Sequence, residues 1–170
     1  MKKLIFLLPF LFWGISGIAQ DQYTLVKKGD KAPDFTFEVK PGVTKNLSDL
    51  KGKIVLINFF ATWCGPCRQE LPHLEKEIYQ KYKSREDFVL LVIGREETWE
   101  TINKFKAEQH FDLPFCPDVK RAIFAKYAGQ NIPRNFVIDK DGKIIYASVG
   151  YSKEEFAGLE ETVRNLLNPI

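Results

Sequence analysis

Two stretches of the chain are apolar without interruption, Ile54-Val55-Leu56-Ile57-Asn58-Phe59-Phe60 and Phe88-Val89-Leu90-Leu91-Val92-Ile93-Gly94. Neither alternates, and both are rich in β-branched and aromatic residues, the pattern of strands buried on both faces. Between them, Arg68 to about Lys83 reads as a helix. Strand, helix and strand make a βαβ unit, so the two strands are predicted to be parallel neighbours.

Other segments alternate. Phe35, Phe37 and Val39 are apolar while Thr36 and Glu38 are polar, which predicts a half-buried strand after the polar lead-in Asp21–Lys31. Lys40-Pro41-Gly42 is a turn, Val43 to Leu47 returns as the hairpin partner, and Ser48-Asp49-Leu50 forms one capped turn. Glu97 to His110 is predicted helical, with Trp99, Ile102, Phe105 and Ala107 as its apolar stripe. A short strand at Leu113–Cys116 follows, then a helix from Val119 to Tyr127 with Ile123, Phe124 and Tyr127 facing inward. Asn135–Asp139 and Ile144–Ser148 form a hairpin around Asp141-Gly142, which supplies positive φ angles. The last helix starts at Ser152, with Glu155 completing a capping box, and runs to about Leu167. The fold class is α/β.

The 170 residues carry 25 Lys+Arg against 22 Asp+Glu. Part of that excess lies in Met1-Lys2-Lys3, which opens an apolar run to Ile18 and ends in the small residues Gly17 and Ala19. This is the pattern of a secretory signal peptide over residues 1–19, cleaved after Ala19. An uncleaved segment would act as a membrane anchor, although the run is shorter than the ~20 residues that cross a bilayer comfortably. Without Lys2 and Lys3 the net charge falls from +3 to +1. No basic cluster interleaves with exposed aromatics, so nucleic acid is not an expected partner. Residues 20–170 suit one domain, with no repeats, no linker and no separate dimerisation module; a monomer is expected.

Three cysteines are an odd number for an exported chain, and Cys64 and Cys67 sit too close to serve as a structural staple. At i and i+3 on a first helical turn they lie near enough to bond to each other. Cys64, the more exposed, sits where unpaired backbone N–H groups and the helix dipole favour a thiolate. That makes it a nucleophile. Zinc would need four ligands, and beyond this pair the chain offers only Cys116, His73, His110 and carboxylates, so no metal is expected. Cys116 reads as a buried filler, His73 as surface and His110 as a helix end.

Trp63-Cys64-Gly65-Pro66-Cys67, between a buried strand and a helix, closely resembles the thioredoxin active site. Asn131-Ile132-Pro133, just before the C-terminal hairpin, resembles the segment that carries a cis-proline facing the dithiol. The N-terminal hairpin, the extra segment from about Trp99 to Asp118 and Gly29-Asp30-Lys31-Ala32-Pro33-Asp34-Phe35 resemble the exported TlpA/ResA-like members of that superfamily. The resemblance implies a thioredoxin fold, a central mixed sheet flanked by helices, over roughly residues 29–167. It implies a thiol–disulfide oxidoreductase whose redox-active disulfide, Cys64–Cys67, replaces any organic cofactor. In this reading Cys64 attacks and Cys67 resolves the mixed disulfide. Trp63 and Gly65-Pro66 form the platform and spacer beside the sulfurs. Ile132 and Pro133 offer backbone to an extended partner segment.

One position departs from the family pattern. Thioredoxin has a buried aspartate six residues before its first cysteine, where this chain has Asn58. Glu70, three residues after Cys67 and also a glutamate in ResA-like proteins, is the candidate to tune the thiols and relay a proton. An exposed first-turn glutamate is the alternative. The function expected is reduction of disulfides in other exported proteins, with a membrane-embedded, DsbD-like thiol donor as the source of electrons and a periplasmic or extracytoplasmic location. A peroxiredoxin-like peroxidase and a Sco-type copper-binding factor are the rival readings.

Overall fold

The computed structural model describes residues 21–168. The expected signal peptide lies outside them. Among the described residues no helix is long and apolar enough to cross a membrane.

The apolar runs become β3 (Ile54–Phe60) and β4 (Phe88–Arg95), which pair in parallel with Ile54 opposite Phe88. With β5 (Phe115–Asp118), β6 (Arg134–Ile138) and β7 (Ile144–Val149) they form one sheet in the order β5-β4-β3-β6-β7. β5 is parallel to β4, whereas β6 runs antiparallel to β3 and to β7. A separate hairpin pairs β1 (Thr36–Lys40) with β2 (Val43–Asn46).

β3 is buried along its whole length. Because side chains alternate across a strand, Ile54, Leu56 and Phe60 face one core, with Leu71, Leu74 and Ile78 and with residues of the last helix packed over them. Val55, Ile57 and Phe59 face the other core, closed by Phe35, Phe37, Leu47, Phe124 and Tyr127. The sheet is therefore covered on both sides, as its continuous apolar strands require.

The helices depart from the sequence reading in instructive places. The active-site helix starts at Gly65, three residues before Arg68: α1 (Gly65–His73) continues through π-type turns at Leu74–Tyr79 into α2 (Gln80–Tyr82). Pro72 lies inside α1 and has no N–H for the ladder, and the wider turns follow directly after it. α3 (Trp99–Gln109) begins after Thr98, whose hydroxyl accepts from the Thr101 N–H; Glu97 stays outside the helix. Ile102 and Phe105 are buried, but Ala107 is exposed and Trp99 is half-buried, donating its indole N–H to Glu38. The short strand is β5, two residues later than expected, and the third helix shrinks to α4 (Phe124–Tyr127). There the Asp118 carboxylate caps the Ile123 and Phe124 N–H groups, leaving Val119 exposed. Val39 is exposed too, because the hairpin leaves the core at its end. The β6–β7 turn spans Asp139–Lys143 with a positive φ at Gly142 alone, and the Asp139 carboxylate accepts from the Asp141 and Lys143 N–H groups. α5 (Lys153–Leu167) forms only half of its capping box, with Ser152 Oγ accepting from the Glu155 N–H.

Candidate active site

β3 delivers the chain through Ala61-Thr62-Trp63 to Cys64, which is the N-cap of α1 with extended backbone (φ −79°, ψ 111°). Its sulfur folds back over the first turn and accepts the Cys67 N–H at 3.2 Å. Anions at helix starts are held this way. Cys64 and Cys67 form a disulfide across a Cα separation of 5.3 Å. Cys64 is 5% exposed and Cys67 is fully buried, so a partner meets Cys64 first. Pro66 occupies the first turn, where a missing N–H costs nothing. A Cβ on Gly65 would meet no atom within 4 Å.

The Ile132–Pro133 bond is cis, and the Ile132 carbonyl oxygen lies 3.7 Å from Cys64 Sγ. Trp63 is 66% exposed and lines one cleft with Cys64. The Arg95 guanidinium lies 5.8 Å from its ring centroid. The structure thus gathers Trp63, Cys64, Gly65, Pro66 and Ile132 around one cleft.

Glu70 is buried at 2% exposure. The exposed alternative is set aside by this placement. One Glu70 carboxylate oxygen accepts from Asn135 Nδ2 at 2.6 Å and the other from Asn58 Nδ2 at 2.8 Å; Asn58 Nδ2 also donates to Asn135 Oδ1 at 2.8 Å. Asn58 and Asn135 are register partners on β3 and β6, so the sheet presents both amides to one point. Among the described residues no cation pairs with Glu70. Burial pushes the Glu70 carboxyl from 4.5 up to about 7, against the two amide hydrogen bonds that pull it down. Glu70 lies three residues past Cys67 on α1.

Sequence reasoning missed three contributors. Asn135 is a polar residue in an apolar strand, the one signal the sequence offered for it. Glu97, 4% exposed, accepts from the backbone N–H and the hydroxyl of Thr62, both at 2.8 Å, and so ties down the loop that carries Trp63 and Cys64. The Thr98-x-x-Thr101 cap was the available clue that Glu97 precedes the helix. Arg134, 1% exposed, donates to the Gln130 and Asn131 carbonyls at 2.9 and 3.0 Å and to Thr24 and Asp21, fixing the loop before Pro133.

The other cysteine and the histidines lie apart from this cleft. Cys116 is a buried free thiol 3.8 Å from the Val92 carbonyl oxygen, and burial pushes its pKa far up. His73 is exposed and stacks on Tyr151 at 6.0 Å between centroids, and His110 caps the end of α3 in a left-handed conformation. Among the described residues no three His, Cys, Asp or Glu side chains cluster as a metal site would require.

Comparison with known proteins agrees with this geometry. The family model described as Redoxin matches residues 27–166. The thiol-disulfide oxidoreductase ResA of Bacillus cereus is 34% identical over 131 residues, covering 76% of this chain and 75% of ResA. Among solved structures, a Bacteroides thetaiotaomicron protein provisionally assigned as a protein disulfide isomerase superposes with a TM-score of 0.81 at 40% identity, covering 85% of this chain and 92% of that one. A Chlorobium tepidum protein provisionally assigned as the thiol:disulfide interchange protein DsbE reaches a TM-score of 0.74 at 32% identity, covering 84% and 99%.

Proposed function

The chain belongs to the Redoxin family, as a TlpA/ResA-like thiol–disulfide oxidoreductase of thioredoxin fold, and on that premise we propose that it reduces disulfides of other exported proteins outside the cytoplasm. The observation that carries this reading is the Cys64 sulfur at the helix start, receiving the Cys67 N–H while Cys67 stays buried behind it. Cys64 as thiolate attacks a partner disulfide; a Cys64–partner bond forms and the partner's second sulfur leaves as thiolate. Cys67, deprotonated as Glu70 accepts its proton, then attacks Cys64 and the partner departs reduced. Ile132 and Pro133 offer main chain to an extended partner segment, and Trp63 offers it an apolar surface.

The reducing direction is supported by the Gly-Pro spacer, which resembles thioredoxin at the low-potential end of the dithiol scale. A reductant in an oxidising compartment must be recharged, so a membrane-embedded thiol donor of the DsbD kind is the partner the reading requires. The protein works as a monomer, delivered by cleavage after Ala19.

The test is trapping. Cys67→Ser in the native host is expected to accumulate mixed disulfides on Cys64, released by dithiothreitol and absent from Cys64→Ser. Purified wild type is expected to reduce a protein disulfide with dithiothreitol as donor. If Cys67→Ser traps nothing and wild type leaves protein disulfides intact, the reading fails.

A further inference from the structure

The cleft beside Cys64 is a groove of about 540 Å³, with Trp63 and Arg95 on one side and Arg121, Asn131 and Ile132 also lining it. Its charged side chains form a stack. Arg95 lies over the Trp63 ring at 5.8 Å and over the Phe124 ring at 5.3 Å, and Arg121 lies over Phe124 at 5.2 Å. Phe124 is fully buried, so this ladder of ring and guanidinium is built on the core. Arg121 adopts a left-handed backbone (φ 60°) in the turn capped by Asp118, and one of its terminal amino groups donates to the Gly129 carbonyl. The side chains are therefore held in place.

These cations are under-compensated. Arg95 pairs through Nε with Glu96 at 2.9 Å, and Glu96 is half exposed. Among the described residues Arg121 pairs with no carboxylate, and its Nε is buried without a hydrogen-bond partner. A guanidinium presents its donors in a fork that fits a carboxylate. A partly buried charge is also screened less than one on the open surface.

We propose that this groove selects protein segments carrying an aspartate or glutamate within a few residues of the cysteine that Cys64 attacks. Arg95 and Arg121 receive the carboxylate while the segment lies along Asn131 and Ile132; an extended chain advances ~3.3 Å per residue, so a flanking side chain reaches the arginines while its cysteine sits at Cys64. The proposal deepens the exchange reading above and holds for either direction of electron flow.

The test uses short peptides whose single cysteine is blocked as a mixed disulfide with thionitrobenzoate, flanked at the same positions by Asp, Asn or Lys. In the reduced Cys67→Ser protein, Cys64 thiolate attacks the peptide sulfur, the Cys64–peptide disulfide forms and thionitrobenzoate leaves as the coloured thiolate. Rates are divided by those with free mercaptoethanol to remove each peptide's own reactivity. The ratio between peptides also cancels any effect of the arginines on Cys64 acidity, because the same thiolate attacks all three. At low salt the Asp peptide is expected to react about tenfold faster than the Lys peptide, with the preference shrinking as salt rises. Arg95→Glu is expected to reverse the order and Arg121→Glu to weaken it. Equal rates for Asp and Lys, or a preference that salt leaves unchanged, overturn the proposal even where a variant fails to fold. Reaction of the Asn peptide with no charge preference sinks the groove alone. No reaction with any peptide sinks the exchange chemistry along with it.

Discussion

Glu70 and Glu97 are both buried, at 2% and 4% exposure, and both belong to the neighbourhood of the dithiol, but their carboxylates are received differently. Glu97 accepts a backbone N–H and a hydroxyl from Thr62, fixed donors on the loop just ahead of Cys64. Glu70 accepts only from the carboxamides of Asn58 and Asn135, neutral donors on two strands of the sheet. The first arrangement holds a loop. The second leaves an acid whose burial outweighs its hydrogen bonds, so that its proton is exchangeable near neutral pH. Both are buried glutamates; what differs is the set of donors around the carboxylate.

The largest effect that would break this comparison is expected at Glu70. Its folded value, about 7, lies above its ordinary 4.5, so the folded protein keeps a proton that the unfolded chain releases between those values. The contribution of this group to stability is then full below about pH 4.5 and falls as pH rises through about 7, by roughly 3 kcal/mol in all. In the oxidised protein, where neither active-site thiol titrates, Glu70→Gln should remove that slope. Denaturation of wild type and variant at pH 5 and pH 8 measures it, and parallel curves at both pH values would leave Glu70 no different from an anchor. In the reduced protein the same variant should lose the inflection near pH 7 in the alkylation rate of Cys67.

Gly94 tests the anchor. A Cβ there would fall 2.8 Å from Glu97 Cβ and 2.9 Å from Ile102 Cδ1. Gly94→Ala should therefore cost about 1–3 kcal/mol, as overpacking does, and a midpoint in urea equal to wild type would show that Glu97 is free to move. Glu97→Ala should cost about 1–2 kcal/mol by leaving the Thr62 donors unpaired. Faster amide exchange at Thr62 and Trp63 is its signature. The smallest effect sharpens the contrast: Asn135→Ala removes one of the hydrogen bonds that lower the Glu70 value, so that value should rise further. The carboxyl ¹³C shift of Glu70 against pH reads it directly.

Much of this was legible beforehand where the signal is local. Buried strands announce themselves as continuous apolar runs, and Cys64-Gly65-Pro66-Cys67 after such a run names both the helix start and the chemistry. Asn58 is singled out by the thioredoxin pattern, which has an aspartate at that position. The readings that failed were ones in which a side chain outside the segment decides. Val119 to Phe124 is helical by composition, but the Asp118 carboxylate organises it as a turn. Glu97 looks like a helical first-turn acid, but its partner is Thr62, 35 positions away.

The order of residues alone determined the parallel pair of strands, the position of the dithiol at a helix start and the family to which the chain belongs, because periodicity, capping and the Cys-x-x-Cys spacing act within a few residues of chain. Only the tertiary structure decided that Glu70 is buried between Asn58 and Asn135, 12 and 65 residues away along the chain. It likewise decided that Arg95 and Arg121 share the Phe124 ring and line one cleft with Cys64. Acidity and charge preference depend on which groups surround a side chain and how much water reaches it, and those are settled only when separate strands and loops pack together.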